Sequence, residues 1–103
     1  MHPIIQDKLE TLKELCAEHR VERLDIFGSA ARDDFDPELS DLDFLVEFEE
    51  MSPVKHADAF FGLLEDLERT FHRRIDLLER KPIENPHLWE SIERSRRVLY
   101  EAA

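Results

Sequence analysis

Two short groups of residues carry side chains that could do chemistry together. Gly28 and Ser29 follow an apolar run that ends at Phe27, and Asp41 and Asp43 open a second apolar run. Alternate residues of a strand share a face, so the two aspartates are expected to point the same way. Neighbouring carboxylates repel each other and disfavour ionisation. A divalent cation such as Mg²⁺ removes that conflict, because it takes carboxylate oxygens and substrate phosphates as ligands.

Gly28 and Ser29 supply the features that a phosphate site needs. A glycine at a strand end lets the backbone approach a ligand closely, and a serine entering a short helix offers its hydroxyl and nearby N–H groups. A third carboxylate, Asp76, interrupts the apolar run at residues 75–78 and can share the face of the aspartate pair. Aspartate pairs occur by chance in a chain with 25 Asp and Glu residues. Their place at the mouth of an apolar strand, after a Gly-Ser turn, nevertheless indicates phosphoryl or nucleotidyl transfer.

The elements that position these residues follow from hydrophobic spacing and capping signals. Ser52 and Asn85 each precede a proline, which is typical of a helix start. The pattern predicts helices over 3–19, from 53 to about 70 and from 86 onward, strands over 23–27, 41–49 and 74–78, and a polar loop over 33–40. The buried stripe of the last helix is expected to contain Leu88, Trp89, Ile92 and Leu99. We therefore expect one α+β domain over 1–103, a small mixed β-sheet of three strands with helices packed on one face.

The net charge and the cysteine content indicate which class of partner and which cellular compartment to expect. The net charge of −11 argues against direct nucleic-acid binding, which relies on Lys and Arg contacts to phosphates, and favours a basic protein partner. The single cysteine, Cys16, lies on the apolar stripe of the first helix and is expected to serve packing. With neither a disulfide pair, a bilayer-length apolar run nor a signal peptide, the expectation is a cytoplasmic protein without membrane contact.

The Gly-Ser turn, the Asp-Leu-Asp motif and the later strand aspartate resemble the signature of the minimal nucleotidyltransferases, the smallest members of the polymerase-β-like superfamily. The resemblance runs from the first helix to the third strand. It implies that Ser29 holds a triphosphate and that Asp41 and Asp43 bind both of two Mg²⁺ ions. It also implies that Asp76 holds the catalytic ion and helps to activate the attacking hydroxyl.

Two further residues are assigned to the nucleotide site through the same resemblance. Gly28 belongs to the Gly-Ser motif, and Arg32 matches an arginine frequently seen after it, with a role at the phosphates. The sequence departs from the family pattern twice. The loop before the aspartate pair is one residue longer than the usual form, and Asp33 stands where a small residue is common. A carboxylate there would weaken nucleotide binding.

The resemblance implies a Mg²⁺-dependent enzyme that uses ATP. Free-standing chains this small resemble the antitoxin half of two-gene toxin–antitoxin pairs, whose partner is a helical HEPN ribonuclease adenylylated on a tyrosine. Two alternatives stay open. One is an adenylyltransferase for a small-molecule acceptor, which would normally need an added helical domain. The other is a catalytically silent module that neutralises its partner by occlusion, for which a broken carboxylate triad would be expected.

Overall fold

A four-stranded sheet forms the centre of the computed structural model, which describes residues 1–32 and 34–103. The strands are β1 (Val21–Phe27), β2 (Leu42–Phe48), β3 (Ile75–Glu79) and β4 (Arg97–Glu101), in the order β3-β2-β1-β4. β1 pairs antiparallel with both β2 and β4, whereas β2 and β3 are parallel. The predicted α+β fold with a small mixed sheet is therefore confirmed, but the sheet has four strands and not the predicted three, because β4 adds an edge strand.

Helices connect the strands and cover them. They are α1 (Pro3–Gln6), α2 (Leu9–Glu18), α3 (Pro53–Phe71) and α4 (Pro86–Ser95), and a 3₁₀ turn spans Gly28–Ala30. The prediction of one helix over 3–19 is wrong, because the helix breaks at Asp7 and Lys8. The first turn is anchored separately: the His2 N–H donates to the Ala30 carbonyl at 2.9 Å. A backbone hydrogen bond therefore ties the start of α1 to the 3₁₀ turn.

Both predicted capping signals are confirmed. The Ser52 hydroxyl accepts from the Lys55 N–H at 3.4 Å, and the side-chain oxygen Oδ1 of Asn85 accepts from the N–H groups of His87 and Leu88 at 2.9 and 3.3 Å. α3 is the crossover between the parallel strands β2 and β3, a connection that needs a dozen or more residues. Its position brings the starts of both strands to the same end of the sheet.

The sheet is apolar on both faces. The larger core contains Leu24, Ile26, Phe44 and Val46 of the strands, against which α1, α2 and α3 pack. A smaller cluster on the opposite face consists of Phe27, Leu45 and Ile92, with Leu78, Ile83 and Trp89 partly buried against it. The expected packing of helices on one face therefore holds for the first three, while α4 covers the other face. The reason is that β2 is apolar at successive positions 44, 45 and 46, so both of its faces need cover.

Two arginines flank the Trp89 side chain of α4. The Arg80 guanidinium carbon lies 3.5 Å from the centre of the indole ring, and that of Arg96 lies 5.1 Å from it. Cation–π attraction of this kind adds to the apolar contacts of α4. Trp89 thus joins the helix both to the end of β3 and to the residue that follows α4.

The prediction that the last helix extends to Leu99 is wrong. α4 ends at Ser95, Arg96 has an extended backbone (φ −63°, ψ 142°), and the next five residues form β4. Val98 lies opposite Asp25 of β1, so β4 covers an edge that β1 would otherwise expose. Leu99 is buried in the larger core as expected, but as a strand residue.

Within the described residues no helix combines the length and apolar character needed to cross a bilayer.

Candidate active site

Asp43 and Asp76 lie side by side on neighbouring strands. They are register partners in the parallel pair of β2 and β3, so their side chains share one face of the sheet. Phe27 of β1 lies opposite Asp43 on the other side, which brings the next residue, Gly28, to the same place. The ends of three elements therefore converge on Asp43.

The carboxylates act on one another electrostatically. The pKa of Asp43 is raised from 3.8 to about 6, first by burial, then by the negative charges of Asp76 and Asp41, and by a hydrogen bond with Asp76. The positive charge of Arg32 lowers it and only partly opposes the rise. Asp41 precedes β2, is exposed, and acts on Asp43 through its charge. The three aspartates predicted from the sequence thus form one cluster, in which Asp43 is the central member.

Gly28 is packed directly against this cluster. Its φ of +71° lies in the left-handed region, where residues other than glycine are strained. A Cβ atom at this position would collide with Oδ2 of Asp43 and lie 3.3 Å from its Cγ. The absence of a side chain is therefore what allows the backbone to approach the carboxylate.

The 3₁₀ turn that follows presents Ser29. The Gly28 carbonyl accepts from the N–H groups of Ala31 and Arg32, at 3.1 and 3.2 Å, which closes the turn. Ala30 and Ala31 are buried, whereas Ser29 is half-buried, and its hydroxyl has no hydrogen-bond partner within the described residues. A hydroxyl placed in this way is available to a ligand beside the carboxylates.

Arg32 is near the cluster but engaged elsewhere. Its Nε and Nη2 atoms donate to Asp34, at 3.2 and 3.4 Å, and both side chains are more than half exposed. An exposed pair of this kind contributes little to stability and exchanges readily with another anion. Arg32 can therefore leave Asp34 for a phosphate. Asp33, the predicted interfering carboxylate, lies outside the described residues.

Sequence reasoning missed one buried carboxylate on the same face. Asp25 is 1% exposed and binds Nε of Arg23 at 2.9 Å and Nη1 of Arg96 at 3.5 Å. The signal was present, since Asp25 interrupts an apolar run between Leu24 and Ile26 as Asp76 does in β3. With two arginine partners, Asp25 serves to tie the end of α4 to the sheet.

A second group of metal-type ligands lies on the opposite side of the sheet. One ligand atom each from Glu18, His19 and Asp66 lie within 4.8 Å of one another. Nε2 of His19 is 2.6 Å from Asp66, and Nη1 of Arg69 is 3.1 Å from the other oxygen of that carboxylate. These contacts account for the group: a hydrogen bond from His19, at the end of α2, to Asp66 of α3, whose carboxylate is also paired with Arg69.

One groove of the described molecule lies away from the aspartates. It has a volume of about 920 Å³ and runs past Phe48, Glu79 and Glu101, at the opposite ends of the strands. The candidate site is therefore identified by the chemistry of its side chains and not by the size of a groove. The aspartate cluster opens onto the surface at the edge strand β3, where Asp76 is exposed.

Comparison with known proteins agrees with this geometry. The family model described as "Nucleotidyltransferase domain" matches residues 9–99. A relative from Methanocaldococcus jannaschii, named "Putative protein adenylyltransferase MJ1379", is 33% identical over 93 residues, which cover 82% of this chain and 91% of the relative.

Two solved structures are similar as a whole. The one named "Structure of putative minimal nucleotidyltransferase" has a TM-score of 0.70 and 33% identity, over 94% of this chain and 95% of the other. The one named "Crystal structure of the toxin-antitoxin with AMP-PNP" has a TM-score of 0.67 over 91% of this chain and 73% of the other; at 15% identity it shows the shared fold alone. On the family match and the sequence relatives, this chain belongs to the nucleotidyltransferase domain family and is a nucleotidyltransferase.

Proposed function

We propose that residues 1–103 act as one domain that transfers AMP from ATP to a hydroxyl of a partner protein. The observation that carries this proposal is geometric: Asp43 and Asp76 are register partners on neighbouring strands, and Gly28 packs directly against the Asp43 carboxylate. Neighbouring carboxylates that raise one another's pKa are typical of functional sites in folded proteins. The relative named as a protein adenylyltransferase supports the choice of a protein acceptor.

The residues fit two Mg²⁺ ions. Asp41, Asp43 and Asp76 offer only oxygen ligands, and their mutual repulsion is relieved when a cation binds. We propose that Asp41 and Asp43 contact both ions and that Asp76 contacts the catalytic one. When bound, Mg²⁺ neutralises the phosphate charge and polarises the reacting oxygens.

The chain itself binds and orients the nucleotide. We propose that Ser29 donates its hydroxyl to the triphosphate and that Arg32 moves from Asp34 to a phosphate oxygen. The acceptor oxygen then forms a bond to the α-phosphorus of ATP, the bond from that phosphorus to the bridging oxygen breaks, and pyrophosphate leaves. Asp76, exposed on the edge strand, accepts the proton of the attacking hydroxyl. Holding the reactants in line supplies much of the rate increase in reactions of this class.

The acceptor we propose is a tyrosine of a HEPN-family toxin, which makes this chain the antitoxin. The toxin–antitoxin named among the similar structures supports this partner, and so does the net charge of −11, which favours encounter with a basic surface. The site opens at a sheet edge, where an acceptor that brings its own surface can approach. The single cysteine supports a reducing, cytoplasmic setting.

Transfer to the partner is the direct test. The chain is co-expressed and co-purified with a HEPN-family toxin and incubated with ATP labelled in the α-phosphate. Label should appear on the toxin, with one pyrophosphate released per transfer. Asp43→Ala should abolish transfer, whereas Asp58→Ala, at an exposed position of α3, should leave it unchanged. If Asp43→Ala still silences the toxin fully, occlusion is the function. If label appears only on an added aminoglycoside, the acceptor is a small molecule.

A further inference from the structure

The backbone of the 3₁₀ turn at Gly28–Ala30 is held by a residue far away in the sequence. The Gly28 N–H donates to Oγ of Ser95, the last residue of α4, at 2.9 Å. Ser95 is 9% exposed, and its hydroxyl donates to the Ser91 carbonyl at 3.4 Å. Because that donation uses the hydroxyl hydrogen, a lone pair of Oγ is left facing Gly28.

The end of α4 that carries Ser95 is itself fixed to β1. Ile92, one turn earlier, packs against Phe27 and Leu45. Arg96, one residue later, binds the buried Asp25 at 3.5 Å. Ser95 is therefore held between an apolar contact and an ion pair, so its hydroxyl has a defined position relative to the strand that leads into Gly28.

Gly28 is thus constrained from two sides. Asp43 occupies the space that a side chain would need, and Ser95 binds the backbone N–H. We propose that Ser95 is a positioning residue of this enzyme: it fixes the orientation of the Phe27–Gly28 peptide at the start of the 3₁₀ turn, and thereby directs the Ser29 hydroxyl of that turn toward the nucleotide triphosphate. This inference rests on the proposed nucleotide site. It assigns a function to α4, although this helix contains neither an aspartate of the cluster nor the Gly-Ser motif.

The hydrogen bond can be observed without any activity. The chain contains two glycines, Gly28 and Gly62, so protein labelled with ¹⁵N-glycine gives two amide signals. In Ser95→Ala the Gly28 signal should shift and its amide should exchange with solvent about tenfold faster or more, because a half-buried donor loses its acceptor. The Gly62 signal on α3 should not change. Ser91→Ala removes an exposed hydroxyl of the same helix and keeps the backbone carbonyl, so it should leave both signals in place.

Nucleotide affinity then tests the consequence. With Mg²⁺ and a non-hydrolysable ATP analogue, Ser95→Ala should raise the Kd up to about tenfold, because nucleotide binding must then order the turn without this internal hydrogen bond, whose free energy is of that scale. Ser91→Ala should stay within about twofold of wild type. If the wild type binds the analogue and Ser95→Ala binds it with the same Kd, the positioning role is refuted and the proposed function still stands. A Gly28 signal that does not change in Ser95→Ala leads to the same conclusion. A wild type that binds no analogue would refute the proposed function itself.

Discussion

At Asp43 burial and like charge act on the same carboxylate in the same direction. Both raise its pKa, to about 6 from 3.8, so the folded chain binds this proton more tightly than the unfolded chain. The contribution of Asp43 to the free energy of unfolding therefore decreases as the pH rises through this interval and levels off above pH 6. In the absence of metal, the ionised Asp43 opposes folding at neutral pH.

Replacing Asp43 by Asn should stabilise the metal-free protein. We expect a gain of about 0.5–2 kcal/mol at pH 7.5, the scale on which relief of a strained functional site is felt. The gain should disappear toward pH 4, where the wild-type carboxylate is protonated as well. Urea denaturation of both proteins at the two pH values, in excess EDTA, measures the difference.

Two comparisons make this result specific to the cluster. Glu14→Gln removes the same charge from an exposed position of α2 and should change stability by less than about 0.5 kcal/mol. With Mg²⁺ and ATP present, the advantage of Asp43→Asn should shrink or reverse, because the wild type gains a ligand that the variant binds poorly. A loss of stability in the metal-free variant would contradict the clustering of the three aspartates.

Sequence reasoning worked best for residues that break a pattern. Asp41, Asp43 and Asp76 stand out as acids beside apolar runs, and the structure brings them together. Asp25 breaks its strand in the same way, yet its role depends on Arg96, 71 positions further along the chain, a pairing that no local pattern shows. The contact between Ser95 and Gly28 is equally long-range, and a single serine at a helix end gives no signal.

Among the elements, β4 shows where periodicity misleads. Leu99 continues the helical stripe of Trp89 and Ile92, so the pattern favoured one long helix. Val98 and Tyr100 are residues that favour strands, and pairing with the exposed side of β1 decides between the two structures. The start of α4 was predictable because Asn85 and Pro86 carry a local capping signal, whereas its end is determined by tertiary contacts.

The cap of α4 offers a test at the scale of this element. Asn85→Ala removes the acceptor for two backbone N–H groups and should lower the free energy of unfolding by about 1 kcal/mol. Asn85→Asp keeps an acceptor and should stay close to wild type. Thermal melts followed by circular dichroism measure both. Equal stability of the alanine variant would mean that α4 does not depend on this cap.

For the whole molecule, ligand binding and folding should be coupled. Mg²⁺ with ATP at a hundredfold its Kd adds about 2.7 kcal/mol to the free energy of unfolding, so the Tm should rise by several degrees. ATP with excess EDTA should give no comparable shift, because the aspartates then repel the phosphates. Differential scanning calorimetry measures the Tm with Mg-ATP and with ATP plus EDTA. An unchanged melting curve at millimolar Mg-ATP would contradict the proposed nucleotide site.

The position of Trp89 makes it an optical reporter of one part of the molecule. It is the only tryptophan, and Arg80 and Arg96 flank its ring while α4 lies on the sheet. When α4 separates, the indole enters water and its fluorescence spectrum changes, whereas far-ultraviolet circular dichroism reports the whole backbone. Fluorescence and dichroism melts that coincide mean that α4 and the sheet unfold together. A fluorescence transition at lower temperature means that the helix carrying Ser95 leaves the site before the fold is lost.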